Sequence, residues 1–261
     1  MAEAMCRQIA DDLRAKIESG EIAQGSQLPT EIELMDQYNA SRNTVRDAIK
    51  LLITRGLVET RPGQGTFVVE KIAPFVSTLT GHPEAGGGEE SVYLAEVQAG
   101  GRTPRLSEPR VEIQLASDVL ADALRVPKGT QLVSRHQQRY IDGTPWSLQT
   151  TFYPMSLVLE HGATRLIEAT DIPGGAVAYL ADKCGIKQIG YRDSIAVRAP
   201  DETDATFFRL PADGRVPVFV IFRTGFDQDG GRFRLTVTVY PTDRNRFRIN
   251  VGEVAPGAEQ D

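Results

Sequence analysis

Apolar side chains in the first 55 residues recur every three or four positions, in three short runs separated by turn-forming residues. The runs comprise Ile9, Leu13 and Ile17, then Leu34 and Tyr38, then Val45, Ile49 and Leu52. This spacing places each run on one face of an α-helix. Gly20 ends the first predicted helix and Gly56 ends the third. The pattern therefore predicts three short amphipathic helices with buried apolar faces.

Residues at the starts of the second and third helices fit helix caps. Pro29 cannot lie inside a helix, and Thr30 with Glu33 three positions later matches a capping box. Asn39 tolerates a left-handed backbone, which suits a tight turn between two helices. Ser41 is a good N-cap for the third helix. The two helices are therefore predicted to be joined by a short, capped turn.

A β-hairpin is predicted directly after the third helix. Residues 57–60 and 66–69 have the pattern of strands, and Pro-Gly-Gln-Gly at 62–65 forms the turn between them. Three helices followed by a hairpin are typical of a winged helix-turn-helix, which we assign to residues 1–70.

The rest of the chain predicts a linker followed by an α+β domain. Residues 71–90 are polar and contain three consecutive glycines, so they are predicted to be a linker. In the domain, residues 91–251, turn signals at 142–143 and 229–231 favour antiparallel hairpins. Residues 252–261 are predicted to be a disordered tail. The predicted strands are 92–99, 110–115, 131–140, 146–152, 189–197, 216–226 and 232–240, and the predicted helices are 118–124, 155–159, 176–183 and 201–210.

Composition excludes several classes of protein. Of the 261 residues, 41% are hydrophobic and 25% are charged, as in an ordinary soluble protein. No apolar run is long enough to cross a bilayer and no signal peptide opens the chain, so we expect a cytoplasmic protein without membrane contact. The two cysteines and three histidines show no metal-ligand spacing, so we expect no metal or cofactor.

The net charge of −6 is unevenly distributed. Between residues 41 and 61, five basic side chains occur with only two acidic ones. DNA binding needs local positive charge that neutralises phosphates. A basic segment that coincides with the third predicted helix therefore indicates a DNA-reading element on an acidic protein.

In a helix-turn-helix, the first residues of the second helix of the motif reach base edges in the major groove. Arginine can pair with guanine, asparagine with adenine, and threonine can meet the methyl group of thymine. Backbone N–H groups at a helix start can bind phosphate, and the tip of a wing can enter the minor groove. The candidate DNA-binding residues are therefore Thr30, Arg42, Asn43, Thr44, Arg46, Gln64, Gly65 and Thr66.

Three sequence blocks resemble the DNA-binding half of GntR-type regulators. They are Leu-Pro-Thr-Glu-Ile-Glu-Leu at 28–34, Ser-Arg-Asn-Thr-Val-Arg at 41–46, and Gly-Leu-Val at 56–58 with Gly-Gln-Gly-Thr-Phe-Val at 63–68. The resemblance implies that Arg42, Thr44 and Arg46 contact bases or phosphates and that Gly65 contacts DNA from the wing. The family usually has a DNA-contacting arginine where this chain has Ile32. This departure implies a different operator or a lower affinity.

Residues 91–250 resemble the effector domain of the HutC branch of GntR regulators, a UTRA domain with a chorismate-lyase-like fold. The resemblance lies in Arg-Tyr-Ile-Asp-Gly-Thr-Pro at 139–145, Tyr-Pro at 153–154, Gly-Ile at 185–186, Pro-Val at 217–218, and Asp227, Gly230 and Tyr240. It implies an effector pocket lined by Gln137, Arg139, Gln149, Tyr153, Arg234 and Tyr240.

Two arginines facing one cavity would favour an anionic effector, a small carboxylate or phosphate ester, because guanidinium binds such groups in a fork. This hypothesis depends on Arg139 and Arg234 both facing the pocket. The alternative is that Arg234 points to solvent.

The sequence thus predicts a DNA-binding transcription repressor that acts as a homodimer and is released from a palindromic operator by a small-molecule effector. An architectural or plasmid-maintenance DNA-binding protein without an effector is the alternative. No nucleophile motif, P-loop or dinucleotide-binding motif supports an enzyme.

Overall fold

The computed structural model describes residues 2–69, 72, 74–78, 88–211 and 214–249. The chain divides into two compact units, Met1–Ala73 and Pro74–Asp261. Each unit has its own buried apolar clusters, so each is described separately.

Three helices form the body of the N-terminal unit: α1 (Ala2–Glu18), α2 (Glu31–Tyr38) and α3 (Arg42–Thr54). Their apolar faces meet in one core, where Leu13, Leu34 and Leu52 are almost completely buried. Each such side chain contributes about 1.5–3 kcal/mol relative to an exposed position. The capping box at the start of α2 and the left-handed Asn39 after it are both present, which confirms the predicted turn.

The predicted hairpin is formed by β1 (Val58–Arg61) and β2 (Gly65–Val68), which pair antiparallel. The backbone of residues 26–28 also pairs with β2, because Leu28 N–H donates to Thr66 O at 2.7 Å and Val68 N–H donates to Ser26 O at 2.9 Å. The segment before α2 therefore anchors the hairpin, and the unit is a winged helix-turn-helix.

An antiparallel sheet of seven strands forms the C-terminal unit. The seven strands are β4 (Pro104–Leu106), β5 (Arg110–Leu115), β6 (Gln131–Ile141), β7 (Thr144–Pro154), β8 (Gln188–Arg198), β9 (Val218–Asp227) and β10 (Arg232–Pro241). Their order in the sheet is β4-β6-β7-β10-β9-β8, and β5 also pairs with β6. A separate parallel pair joins β3 (Phe75–Thr78) to β11 (Asn245–Arg248).

Helices pack against both faces of this sheet. The helices are α4 (Gly88–Ala99), α5 (Asp118–Leu124), α6 (Ser156–Leu159), a 3-10 turn (Thr164–Ile167), α7 (Gly175–Cys184) and α8 (Glu202–Phe208). Val133 and Tyr153 form a core with α6, the 3-10 turn and α7 on one face. Leu132 and Leu235 form a core with α5 on the other. The predicted antiparallel α+β domain is confirmed.

Two predictions for this unit need correction. The strand predicted at residues 92–99 is wrong, because these residues belong to α4. Tyr93 and Val97, four positions apart, are both buried, as one face of a helix requires. The predicted linker at 71–90 includes β3 and the start of α4, and its other residues lie mostly outside the described part of the chain. The predicted tail, 252–261, also lies outside it.

Candidate functional site

Two arginines at the start of α3 form the centre of the candidate DNA-reading surface. Arg42 and Arg46 lie about one helical turn apart, and their side chains are 60% and 51% exposed. The Nε atoms donate to Oε2 and Oε1 of Glu31, at 2.9 Å and 2.8 Å. These hydrogen bonds, first from Arg46 and then from Arg42, lower the pKa of Glu31. One charged carboxylate therefore holds both guanidinium groups side by side.

The N-cap of α3 fixes the backbone that carries the other predicted readers. Ser41 Oγ accepts the Thr44 N–H at 3.3 Å and lies 2.8 Å from Thr44 Oγ1. Asn43 is exposed between the two arginines in the sequence. The predicted readers Arg42, Asn43, Thr44 and Arg46 are thus brought together on the first turns of one helix.

Thr30 forms the capping box of α2, and its contact with DNA stays a prediction. Its Oγ1 accepts the Glu33 N–H at 3.3 Å, and its own N–H donates to Glu33 Oε2 at 2.7 Å. We expected this backbone N–H to be open to a DNA phosphate. Because it already has an acceptor within the capping box, its role in this structure is to fix the start of α2.

The tip of the wing is held by a residue that sequence analysis did not single out. Gln27 Nε2 donates to Gln64 O at 2.9 Å. Gly65 has a φ of +117°, and a Cβ there would lie 2.4 Å from Gln27 Nε2, so the position favours glycine. Thr66 pairs with Leu28 through the backbone. Of the predicted wing residues, Gln64 therefore lies in the turn and Gly65 and Thr66 begin β2, and these contacts hold all three in place.

A separate cavity lies within the C-terminal unit, on one face of the sheet. Its volume is about 70 Å³, several times the space for one water. It is enclosed by the sheet strands β6, β7, β9 and β10, by helix α4, and by the pair β3 and β11. The lining residues are Ser77, Val92, Tyr93, Glu96, Arg139, Gln149, Ile221, Arg223, Thr236, Thr238, Tyr240 and Phe247.

Arg139 and Gln149 bring unsatisfied polar atoms to this cavity. Arg139 is 2% exposed, and its Nε and Nη2 make no hydrogen bond to any described residue. Gln149 is 8% exposed, and its Oε1 has no partner among the described residues. A buried polar atom without a partner is unfavourable. The cavity therefore offers two N–H donors, one positive charge and one carbonyl acceptor to a ligand.

The ring of Tyr93, on α4, covers Arg139. The guanidinium carbon lies 4.8 Å from the ring centre, and Tyr93 Oη donates to Tyr140 O at 3.0 Å. Burial raises the pKa of Tyr93 to about 12, so its hydroxyl stays protonated. The cation–π contact partly compensates the buried charge but leaves the two N–H groups of Arg139 without acceptors.

Sequence analysis missed two charged residues of the cavity, Arg223 and Glu96. Arg223 donates through Nε and Nη2 to both carboxylate oxygens of Asp193, at 2.7 Å and 2.6 Å, and stacks on Tyr191. Glu96 comes from α4, which was predicted as a strand. The strand register explains why Arg223 lines the cavity, because Arg223 of β9 pairs with Thr236 of β10, another lining residue. The position of Arg223 beside Thr236 follows from the pairing of β9 with β10, which the sequence alone does not give.

Of the six predicted effector residues, Arg139, Gln149 and Tyr240 line the cavity, and Gln137, Tyr153 and Arg234 do not. Gln137 donates to Asp171 at 3.0 Å. Tyr153 is buried in the apolar core under α6 and α7. The placement of these three residues is therefore a correction to the sequence analysis.

Arg234 neither faces the cavity nor points to solvent. It is 1% exposed, and its Nε and Nη2 both donate to Gln188 Oε1, at 2.9 Å and 2.8 Å. Its Nη1 donates to Thr236 Oγ1 at 2.7 Å. A register shift between Arg232 and Arg234 in β10 accompanies this orientation.

Comparison with known protein families matches both units. Residues 6–68 match the family "Bacterial regulatory proteins, gntR family", and residues 100–246 match the UTRA domain. The second match alone covers more than half of the chain. Within the part of the chain that the structure describes, no helix is long and apolar enough to cross a membrane.

Curated relatives are transcriptional regulators. The repressor PhnF of Mycolicibacterium smegmatis is 28% identical over 85% of this chain and 83% of its own. The repressor NagR of Bacillus subtilis is 24% identical over 92% of this chain and 91% of its own. A regulator of Streptomyces coelicolor is 29% identical over 78% and 77% of the two chains.

Solved structures share the fold. A GntR-family regulator matches with a TM-score of 0.61 and 23% identity, over 96% of this chain and 98% of its own. PhnF from Mycobacterium smegmatis matches with a TM-score of 0.54 and 24% identity, over 94% and 99%. The chain therefore belongs to the GntR family of DNA-binding transcriptional regulators, in the group that carries a UTRA domain.

Proposed function

We propose that this regulator is a homodimeric repressor that leaves a palindromic operator when a small anionic effector binds its UTRA domain. The observation that carries the proposal is that Nε and Nη2 of the Arg139 guanidinium are buried and have no acceptor among the described residues. Its Nε and Nη2 hydrogens point in parallel, which is the geometry that binds two oxygens of a carboxylate or phosphate. The repressors PhnF and NagR among the relatives support the direction of regulation.

The effector class follows from what remains unsatisfied in the cavity. Arg139 would bind the anionic group of the effector. Gln149 Oε1 would accept a hydrogen bond from a hydroxyl or amino group elsewhere on the molecule. Arg223 is already paired with Asp193, and the lining also includes the acidic residue Glu96 of α4, so the positive charge available to an anion comes mainly from Arg139. The proposed effector is therefore a small carboxylate or phosphate ester that also carries a hydrogen-bond donor.

Helix α4 would transmit the presence of the effector. It contributes Tyr93 and Glu96 to the cavity, and the chain before it leads back to the DNA-binding unit. An anion at Arg139 would alter the Tyr93 contact and with it the position of α4. By linkage, an effector that weakens operator binding is itself bound more weakly by the operator complex, by the same factor.

A randomised duplex library would test operator recognition. We expect the full-length protein to enrich a two-fold symmetric site whose half-sites lie about one helical turn apart. Arg46→Ala should lose this site. Arg55→Ala is the matched control, since it removes the same charge from an arginine that is paired with Asp11 of α1. Salt-sensitive binding without enrichment, equal in all three proteins, would favour the architectural alternative.

The enriched duplex then serves to test the effector. Small carboxylates, phosphate esters and neutral sugars of similar size are added to the labelled complex, and release is followed by fluorescence anisotropy. We expect release by members of the anionic sets only, accompanied by a rise in melting temperature. Release by a neutral sugar while every anion fails would contradict the effector class.

A further inference from the structure

The first turn of α2 exposes an apolar side chain that the fold does not bury. Ile32 is 66% exposed, whereas Leu34 on the opposite side of the helix is 0% exposed. In the described part of the N-terminal unit, the only other exposed large apolar side chain is Met5, at 37%. Single exposed apolar residues are common in soluble proteins. Exposure alone therefore assigns no role to Ile32, and its position has to be considered.

Ile32 follows Glu31 directly. Both oxygens of the Glu31 carboxylate accept hydrogen bonds from the two arginines of α3, so the first turn of α2 lies against the N-terminal half of that helix. This half of α3 is the part that would enter the major groove. Ile32 thus comes directly after the residue whose carboxylate holds Arg42 and Arg46, and it lies on the side of α2 away from the core that contains Leu34.

The major groove offers an isoleucine one favourable contact. Its base edges carry hydrogen-bond donors and acceptors, and the C5-methyl group of thymine is the apolar group among them. An isoleucine placed over donors or acceptors would displace water without replacing its hydrogen bonds. Placed over a thymine methyl, it buries apolar surface on both partners.

We infer that Ile32 is a specificity-determining residue that reads one thymine methyl group in each half-site of the operator. Arg42 and Arg46 supply the polar contacts to neighbouring bases or phosphates. The inference rests on the proposed function, because it requires α3 in the major groove of a specific site.

Replacement of thymine by deoxyuridine tests this directly, since it removes only the methyl group. Each thymine of the enriched duplex is replaced in turn, and the affinity of the full-length protein is measured. We expect one thymine per half-site at which the change weakens binding about fourfold, as burial of one methyl group implies. At that position, Ile32→Ala should bind the two duplexes equally.

Two further variants sharpen the result. Met5→Ala truncates the other exposed apolar side chain of this unit and should keep the wild-type preference for thymine. Ile32→Arg should shift the preference at the same base pair towards guanine, which offers two acceptors to a guanidinium. Melting temperatures close to that of the wild type would verify that the variants fold.

The possible outcomes separate this inference from the proposed function. If no thymine shows a loss, or if Ile32→Ala shows the same loss as the wild type, the role of Ile32 is overturned. In that case the proposed function would still be supported, provided that a symmetric site is enriched and that its binding depends on Arg46. Failure to enrich any site would remove both the proposed function and the role of Ile32.

Discussion

The two units stabilise their key arginines in opposite ways. In the N-terminal unit, Arg42 and Arg46 are at least half exposed and share the Glu31 carboxylate. In the C-terminal unit, Arg139 lines the cavity and is 2% exposed, and its Nε and Nη2 have no acceptor among the described residues. Water can solvate an exposed guanidinium, whereas a buried one needs a partner. The arginines of the candidate DNA-reading surface are thus both solvated and paired, whereas two nitrogens of Arg139 have no acceptor among the described residues.

A second buried arginine on the same strand allows this comparison to be tested. Arg135 and Arg139 lie on the same face of β6, four residues apart. Arg135 is 8% exposed, and it donates at 2.7–3.2 Å to four backbone carbonyls, those of Arg165, Leu166, Glu168 and Thr170. One arginine therefore has many acceptors within the fold, and the other lacks acceptors for two of its nitrogens.

The largest effect on stability is expected for Arg135→Met. The substitution leaves several buried carbonyls without donors, and we expect a loss of about 2–4 kcal/mol in the free energy of unfolding. Urea denaturation monitored by circular dichroism measures this loss. A change below about 0.5 kcal/mol would show that water or other donors replace the guanidinium.

Arg139→Met should affect ligand response instead of stability. Because the substitution removes a buried charge with two nitrogens that lack acceptors among the described residues, we expect the free energy of unfolding to stay the same or to rise. Effector affinity should fall by about 1.5–3 kcal/mol, the contribution of hydrogen bonds to a charged group. The effector concentration for half-release of operator DNA measures this. Destabilisation equal to that of Arg135→Met, with normal release, would assign Arg139 a structural role.

The same contrast explains which parts could be predicted from the sequence. The capping box, the Asn39 turn and the basic start of α3 depend on residues close together in the chain, so local rules predict them. The cavity depends on strand register and on a helix. Residues 92–97 form a short, nearly continuous apolar run, which fits a buried strand as well as a helix. Glu96 was therefore not recognised as a lining residue.

The arginines of the sensing unit show a second limit. Arg139 and Arg234 were predicted as a pair, because the resemblance to the HutC branch placed both in the effector pocket. Arg234 lies on the same face of β10 as the lining residues Thr236, Thr238 and Tyr240, but its guanidinium donates to Gln188 and Thr236, whereas Arg223 of β9 lines the cavity. The alternation of side chains along a strand therefore predicts the face of Arg234 and not its partners. Those partners depend on strand pairing, for which a single sequence contains no reliable signal.

A smaller effect is expected from Glu31→Gln, which tests whether the reading surface is organised before DNA binds. The substitution weakens two exposed ion pairs and removes one negative charge near the DNA. We expect affinity for random DNA to rise and the ratio of operator to random affinity to fall by about fivefold, or about 1 kcal/mol. Competition binding at two salt concentrations measures the ratio. An unchanged ratio would show that Glu31 does not organise the arginines.

The smallest effect concerns His136, on the face of β6 opposite Arg135 and Arg139. Its Nδ1 lies 2.8 Å from Thr150 Oγ1, and its Nε2 lies 3.5 Å from the Glu112 carboxylate. Burial, and next the nearby charge of Arg110, lower the pKa of His136 below its usual 6.5. The folded protein therefore binds this proton more weakly than the unfolded chain does.

The sign of the pH dependence follows from this difference. As the pH falls below about 6.5, the unfolded chain takes up the proton first, so stability should decrease towards the lowered pKa of the folded state. His136→Asn removes the titration and keeps a polar atom near Thr150. Urea denaturation between pH 7 and pH 5.5 should give a smaller loss of stability for the variant than for the wild type. Equal losses would assign the pH dependence to other groups.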